Sequence, residues 1–210
     1  MNHTVKKRKT GILGGTFNPP HIAHIEMARA AVETEGMNRV ILIPNGDPPH
    51  KAVTVSAEDR LNMTRLAADE LKDIIGEGRI MVSDIEISRP GYSFLVNTIE
   101  QLKQEYPEDE LYFIAGGDAV MSIASWYGAK RIFELADVLA FRRAGGIGSD
   151  ISSALKYLER RGARVHAAKH ELPAISSSEI RELIANGSDI SEKVPRSVAE
   201  YISEKKLYKA

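Results

Sequence analysis

Gly11-Ile12-Leu13-Gly14-Gly15-Thr16-Phe17-Asn18-Pro19-Pro20-His21-Ile22-Ala23-His24 opens on a short apolar run. It then passes through paired glycines and paired prolines and ends on two histidines three residues apart. The opening predicts a β-strand over Gly11–Gly14, and the pattern after His21 predicts a helix over Ile22–Glu35. Between them the glycines let the backbone approach a ligand closely, while the prolines stiffen the entry to the helix.

The same alternation continues outward. Further strands are predicted over Val40–Ile43, Ile80–Val82, Leu111–Ala115, Val138–Phe141 and Val165–Ala167. Helical patterns lie between them over Ala57–Lys72, Phe94–Glu105, Ile132–Leu135 and Ile151–Arg161, and two more close the chain over Ser178–Ala185 and Arg196–Lys205. Ser56 with Asp59 reads as a helix start, and Gly162 and Gly187 as helix stops. Strands alternating with helices require crossover connections, which give a mostly parallel sheet covered on both faces. The expected fold class is therefore α/β: a Rossmann-like, doubly wound sheet with C-terminal helices. Residues 10–210 are expected to form one domain, preceded by a basic, solvated arm over residues 1–9 (Lys6, Lys7, Arg8, Lys9). Such folds bind ligands at the carboxyl ends of their strands, beside a topological switch point.

Composition narrows the possible partners. The chain has 210 residues, 43% hydrophobic and 27% charged, ordinary values for a globular protein. Lys plus Arg number 28 against 29 Asp plus Glu, so the formal net charge is -1. No global field favours a nucleic acid or an anionic membrane, and any polyanion site must be local. Cysteine is absent, which excludes disulfides and thiolate metal sites. No apolar run has the length of a membrane span and no signal peptide is visible, so a cytoplasmic location is expected. Self-association into a homo-oligomer stays open.

Two segments carry chemistry. His21 and His24 share one face of the first helical turn, where N–H groups and the helix dipole favour an anion, and imidazoles donate hydrogen bonds to phosphate oxygens. A zinc helix needs histidines four apart with a carboxylate in register, and that spacing is missing. Ile175-Ser176-Ser177-Ser178-Glu179-Ile180-Arg181 supplies a second helix start with hydroxyl donors, and Arg181 points back over its first turn as a permanently charged fork. Pro48-Pro49-His50-Lys51 by itself reads as a loop, Gly116-Gly117-Asp118 as a strand-end turn, and Trp126-Tyr127 as core aromatics.

These segments together resemble the signatures of the nucleotidyltransferase superfamily, and specifically its nicotinate-nucleotide adenylyltransferase branch. The first is similar to GGTFDPxHxGH, with Asn18 for Asp and Ala23 for Gly, and the second to I-S-S-T-x-I-R, with Ser178 for Thr. The resemblance extends to Pro48–Lys51, Gly116–Asp118, Trp126-Tyr127, Arg142-Arg143 and the tail Val194–Tyr208. It implies transfer of AMP from ATP to nicotinate mononucleotide, with nicotinate adenine dinucleotide and pyrophosphate as products. ATP and the mononucleotide are then the partners. Mg²⁺, carried mainly on the ATP phosphates, is the cofactor, and no protein-held metal is expected.

By the same resemblance His21, His24, Lys51 and Arg181 are the catalytic residues. Gly14, Gly15, Thr16, Phe17, Gly116, Asp118, Ser177 and Ser178 are expected to hold ATP. Asn45, Phe94, Leu95, Trp126, Tyr127 and Arg143 are expected to hold the pyridine nucleotide, with the Trp126 ring stacked on the pyridine. Gly91-Tyr92-Ser93-Phe94-Leu95-Val96-Asn97-Thr98 departs from the family's G-x-S-[YW]-T-x-[DE]-T at Leu95 and Asn97, which leaves the choice between acid and amide substrates open. Adenylyl transfer to nicotinamide mononucleotide or another phosphomonoester, and a catalytically silent nucleotide sensor, are the competing readings.

Overall fold

A computed structural model describes residues 7–48, 53, 55–144 and 151–209. Six strands form one sheet: β1 (Lys9–Gly15), β2 (Arg39–Pro44), β3 (Ile80–Val82), β4 (Glu110–Gly116), β5 (Ala136–Arg143) and β6 (Val165–Leu172). Their spatial order is β3-β2-β1-β4-β5-β6, and every pairing is parallel. From β1 the chain runs outward through β2 and β3, then returns to place β4 on the other side of β1. The switch point thus falls between β1 and β4, and it is at the carboxyl ends of such strands that open α/β sheets bind ligands.

Among the described residues eight helices cover the two faces: α1 (Ile22–Glu33), α2 (Ala57–Ile75), α3 (Leu95–Glu105), α4 (Gly117–Ser122), α5 (Ala129–Leu135), α6 (Ser152–Arg160), α7 (Ser177–Ala185) and α8 (Arg196–Lys205). Strand side chains alternate between two cores. Leu13, Leu42 and Ile114 face α1, α2, α7 and α8, whereas Ile12, Ile41 and Phe113 face α3, α5 and α6. The period of two along each strand explains why both cores draw on the same strands. β2 is buried along its whole length, as a central strand covered on both faces must be.

Local signals hold where the sequence placed them. The Ser56 hydroxyl accepts from the Asp59 N–H at 3.0 Å and starts α2. Gly162 (φ 90) and Gly187 (φ 70) follow α6 and α7 in the left-handed conformation that glycine adopts without a Cβ clash.

Several boundaries differ from expectation. Lys9 already belongs to β1, and the Arg8 carbonyl accepts from the Glu110 N–H, so the sheet begins inside the stretch read as a basic arm. β6 runs on to Leu172 rather than ending at Ala167. Its second half is polar because it is an edge strand, and a bulge there sets Arg142 opposite Glu171, an ion pair at 2.9 Å. α4 and the 3₁₀ turn after it (Ile123–Ser125) were not expected, because too few residues there show a helical period. α3 begins at Leu95, with Phe94 as its N-cap.

Candidate active site

The candidate site is built on the loop that joins β1 to α1. A Cβ on Gly14 would meet Phe113 Cε2 at 4.0 Å, an ordinary contact, whereas one on Gly15 would press on the Phe17 ring at 3.3 Å. Phe17 is 1% exposed and takes φ 47, a left-handed conformation that is rare for a bulky residue and frequent at functional turns. Its ring meets the His24 ring edge-on at 4.9 Å. His24 in turn stacks on His21, centroid to centroid 3.7 Å. The His21 N–H donates to His24 Nδ1 at 3.2 Å, so the exchangeable proton of a neutral His24 ring sits on Nε2.

His21 is the N-cap of α1 and only 4% exposed. Burial, reinforced by the positive charge of Arg143, lowers its pKa to about 4, so the ring is neutral at physiological pH. It acts on an anion as a hydrogen-bonding group, not as a cation. The first turn of α1 also offers fewer free amides than its position suggests. The Ile22 N–H donates to the Lys193 carbonyl (3.0 Å) and the His24 N–H to the His21 carbonyl (2.9 Å). The imidazoles therefore carry more of any anion contact here than the helix end does.

α7 brings the second signature to the same loop. Ser176 is its N-cap and accepts from the Glu179 N–H at 3.1 Å. The Ser177 hydroxyl donates to the Pro19 carbonyl at 2.9 Å. Arg181 donates through Nη1 to the Asn18 carbonyl (2.8 Å) and through Nη2 to the Ser178 hydroxyl (3.1 Å). The two helix starts, Ile22 and Ser177, 155 residues apart in sequence, thus meet on Asn18 and Pro19. Lys51 lies outside the described residues.

On the β4 side, Gly116 ends the strand with open space around it, and Asp118 stands in the first turn of α4. Arg143, at the end of β5, pairs with Asp118 at 3.4 Å and reaches His21 electrostatically. Arg143 was expected beside the pyridine nucleotide; its contacts are with Asp118 and His21. The physical reason is topological, because β5 follows β4 outward from the switch point and so ends beside Asp118.

The remaining expected residues are aromatic and polar groups around the start of α3 and after α4. Trp126 donates from Nε1 to the Ser122 hydroxyl (3.1 Å) and packs edge-on against Phe113, which leaves it half-buried. Phe94 meets Tyr127 at 4.8 Å, and Tyr127 is 68% exposed. Leu95 follows as the first residue of α3. Asn45 donates from Nδ2 to Glu86 Oε2 at 2.7 Å, and the Thr98 hydroxyl donates to the other oxygen of that buried carboxylate at 2.7 Å. This fixes the Asn45 carboxamide against α3.

Sequence reasoning missed the groups that hold these loops. Arg60 is 1% exposed and donates to the carbonyls of Thr16 (2.9 Å), Asn45 (2.6 Å) and Gly46 (2.9 Å), which ties the loop after β1 to the loop after β2. A signal was present: Arg60 falls in the buried stripe of α2 with Met63, Thr64 and Ala67, where a charged residue needs a reason. Glu86 had no such signal, since it lies in a loop without period, whereas Tyr92 (6.2 Å from Phe94) and Tyr208 fall in segments that carry the resemblance but were given no role there.

Among the described residues no three His, Asp or Glu side chains are grouped to hold a metal ion, and no helix is long and apolar enough to cross a membrane. The donor set at the convergence is imidazole, hydroxyl and guanidinium, which suits phosphate oxygens rather than a bare cation.

Comparison with known proteins agrees with this arrangement. The cytidylyltransferase-like family model matches residues 12–183. A curated Geobacter sulfurreducens protein named "Probable nicotinate-nucleotide adenylyltransferase" is 38% identical, with 95% of this chain and 98% of that protein covered. One of the same name from Pelobacter propionicus is 37% identical over the same shares. Among solved structures, Plasmodium falciparum nicotinic acid mononucleotide adenylyltransferase complexed with NaAD is similar in fold, with a TM-score of 0.80 at 20% identity, covering 96% of this chain and 97% of that one. The chain belongs to the cytidylyltransferase-like family and, within it, to the nicotinate-nucleotide adenylyltransferases.

Proposed function

We propose that this protein transfers the adenylyl group of ATP to nicotinate mononucleotide, giving nicotinate adenine dinucleotide and pyrophosphate in NAD biosynthesis. The observation that carries the proposal is the meeting of the His21–His24 pair and the Ser177–Arg181 segment on one loop at the switch point. An oxygen of the mononucleotide 5′-phosphate attacks the ATP α-phosphorus in line. A new P–O bond forms there, and the bond from the α-phosphorus to the bridging oxygen of the β-phosphate breaks. A phosphate oxygen is already ionised at neutral pH, so no general base is required. The obstacle is repulsion between two anions, and the protein's task is to orient and neutralise them.

In this reading the neutral His21 ring and the His24 ring donate hydrogen bonds to phosphate oxygens, and Arg181, with Lys51, supplies positive charge. Gly14, Gly15, Thr16 and Phe17 line the path of the triphosphate, Ser177 and Ser178 add hydroxyls, and Gly116 and Asp118 face the adenosine ribose. Arg143 serves this side through its contacts with Asp118 and His21. Asn45, Phe94, Leu95, Trp126 and Tyr127 hold the pyridine nucleotide. Mg²⁺ bound to the ATP phosphates would reduce their charge, while the imidazole, hydroxyl and guanidinium donors of His21, His24, Ser177, Ser178 and Arg181 would hold the phosphate oxygens. A cytoplasmic location is part of the same proposal.

Pyrophosphate release with nicotinate mononucleotide against nicotinamide mononucleotide tests the assignment. Nicotinate mononucleotide should be the better acceptor. Preference for the amide, or ATP binding without pyrophosphate from either, overturns it.

A further inference from the structure

Near the carboxyl end of the chain, Tyr208 returns to the loop between β1 and α1. α8 ends at Lys205, Lys206 takes φ 53 and Tyr208 takes φ 62. Neither is glycine, and left-handed backbone is unfavourable for a residue with a Cβ. The turn is held by the Leu207 N–H, which donates to the Ile202 carbonyl at 3.0 Å. α8 itself is fixed on α2: the Tyr201 hydroxyl donates to Asp59 Oδ1 (2.8 Å), and the Ser197 N–H to Glu70 Oε1 (2.6 Å). This anchored turn delivers the Tyr208 hydroxyl to Asn18 Oδ1 at 2.7 Å.

Asn18 is the junction of the site. It is 7% exposed, its carbonyl takes Arg181, and its neighbour Pro19 takes Ser177. Tyr208 feels the positive charges of Arg60 and Arg181, which favour its ionised form. Burial outweighs both and pushes the phenol up, so it remains a proton donor at any working pH.

We infer that Tyr208 is a positioning residue for the transfer reaction: by donating to the Asn18 carboxamide it holds the Phe17–Pro19 backbone, and with it the histidine pair, in register with Arg181. This rests on the function proposed above. Tyr208 touches no substrate in this account; it acts through Asn18.

The test is a double-mutant cycle in the full chain, read on pyrophosphate release with nicotinate mononucleotide and on ATP affinity by calorimetry. Y208F keeps the ring and removes one hydrogen bond, and a bond of that kind corresponds to about a tenfold loss. We expect kcat/KM to fall about tenfold and ATP to bind about threefold more weakly, with the melting temperature lower by no more than about 4 °C. In an N18D background, which keeps the acceptor, Y208F should still produce its loss. In an N18A background it should produce none. Wild-type kinetics in Y208F, or equal losses in the N18D and N18A backgrounds, overturns the inference. A fall in melting temperature without a kinetic effect makes Tyr208 structural and also overturns it. Wild-type protein that binds ATP but releases no pyrophosphate defeats the acceptor assignment instead, and the cycle in ATP affinity then decides Tyr208.

Discussion

Acidification tests the neutral state of His21 directly. In an unfolded chain its imidazole takes a proton near pH 6.5, whereas in the folded site it resists until about pH 4. Between those values the unfolded state binds more protons, so stability falls as pH drops through the window and is level above it. At 1.36 kcal/mol per pH unit, the interval corresponds to roughly 3 kcal/mol. A loss of that size lies within the total stability of an ordinary domain, so the protein should stay folded while it is measured. Urea unfolding at a series of pH values from 7 to 4 gives the total loss. The same series on His21→Asn, which lacks a titrating ring, gives the part not due to His21. Asp59 and Asp189, held below the usual carboxylate range by hydrogen bonds from Ser56 and Ser191, lose their contributions lower down, near and below their ordinary 3.8. The difference between the two series should therefore be roughly 3 kcal/mol and confined to the His21 window. Ring NMR gives a second readout. Arg143→Gln should move the His21 titration upward, yet leave it below 6.5, because burial is the larger cause. Identical pH slopes in wild type and His21→Asn, or a His21 ring that titrates at 6.5 or above, would refute the account.

Other substitutions probe the remaining parts of the site. His24→Ala should keep the fold by circular dichroism and lose at least about a hundredfold in kcat, the scale of deleting one donor from a charge-stabilising site; turnover near wild type removes His24 from the chemistry. Trp126→Ala should raise KM for the pyridine nucleotide far more than for ATP, and equal effects on both would make the indole a packing group. Gly46→Ala places a methyl against the Glu86 carbonyl oxygen and 3.2 Å from the Ile87 Cα, where only backbone can yield. Denaturant unfolding should show a loss of about 1–3 kcal/mol. KM for the pyridine nucleotide should also rise, since Asn45 and Glu86 are displaced together. An unchanged midpoint would show that the loop has slack.

The sequence by itself determined the layers and the connectivity. Runs such as Val40–Ile43, each followed by a helical period, admit few arrangements other than a parallel sheet covered on both faces, because backbone polar groups must be paired and apolar side chains buried. It also determined which short segments carry polar chemistry, since Gly14-Gly15, His21 with His24, and Ser177 with Arg181 each bear local signals within a few residues. It did not determine how those segments address one another. That Arg181 and Ser177 grip Asn18 and Pro19, that Arg143 sides with Asp118, and that Arg60, Glu86 and Tyr208 brace the loops are contacts between residues far apart along the chain. No local period encodes them. The neutrality of His21 has the same origin: an imidazole at a helix start is ordinary in sequence, and only the packing that removes it from water, with Arg143 nearby, shifts its proton affinity.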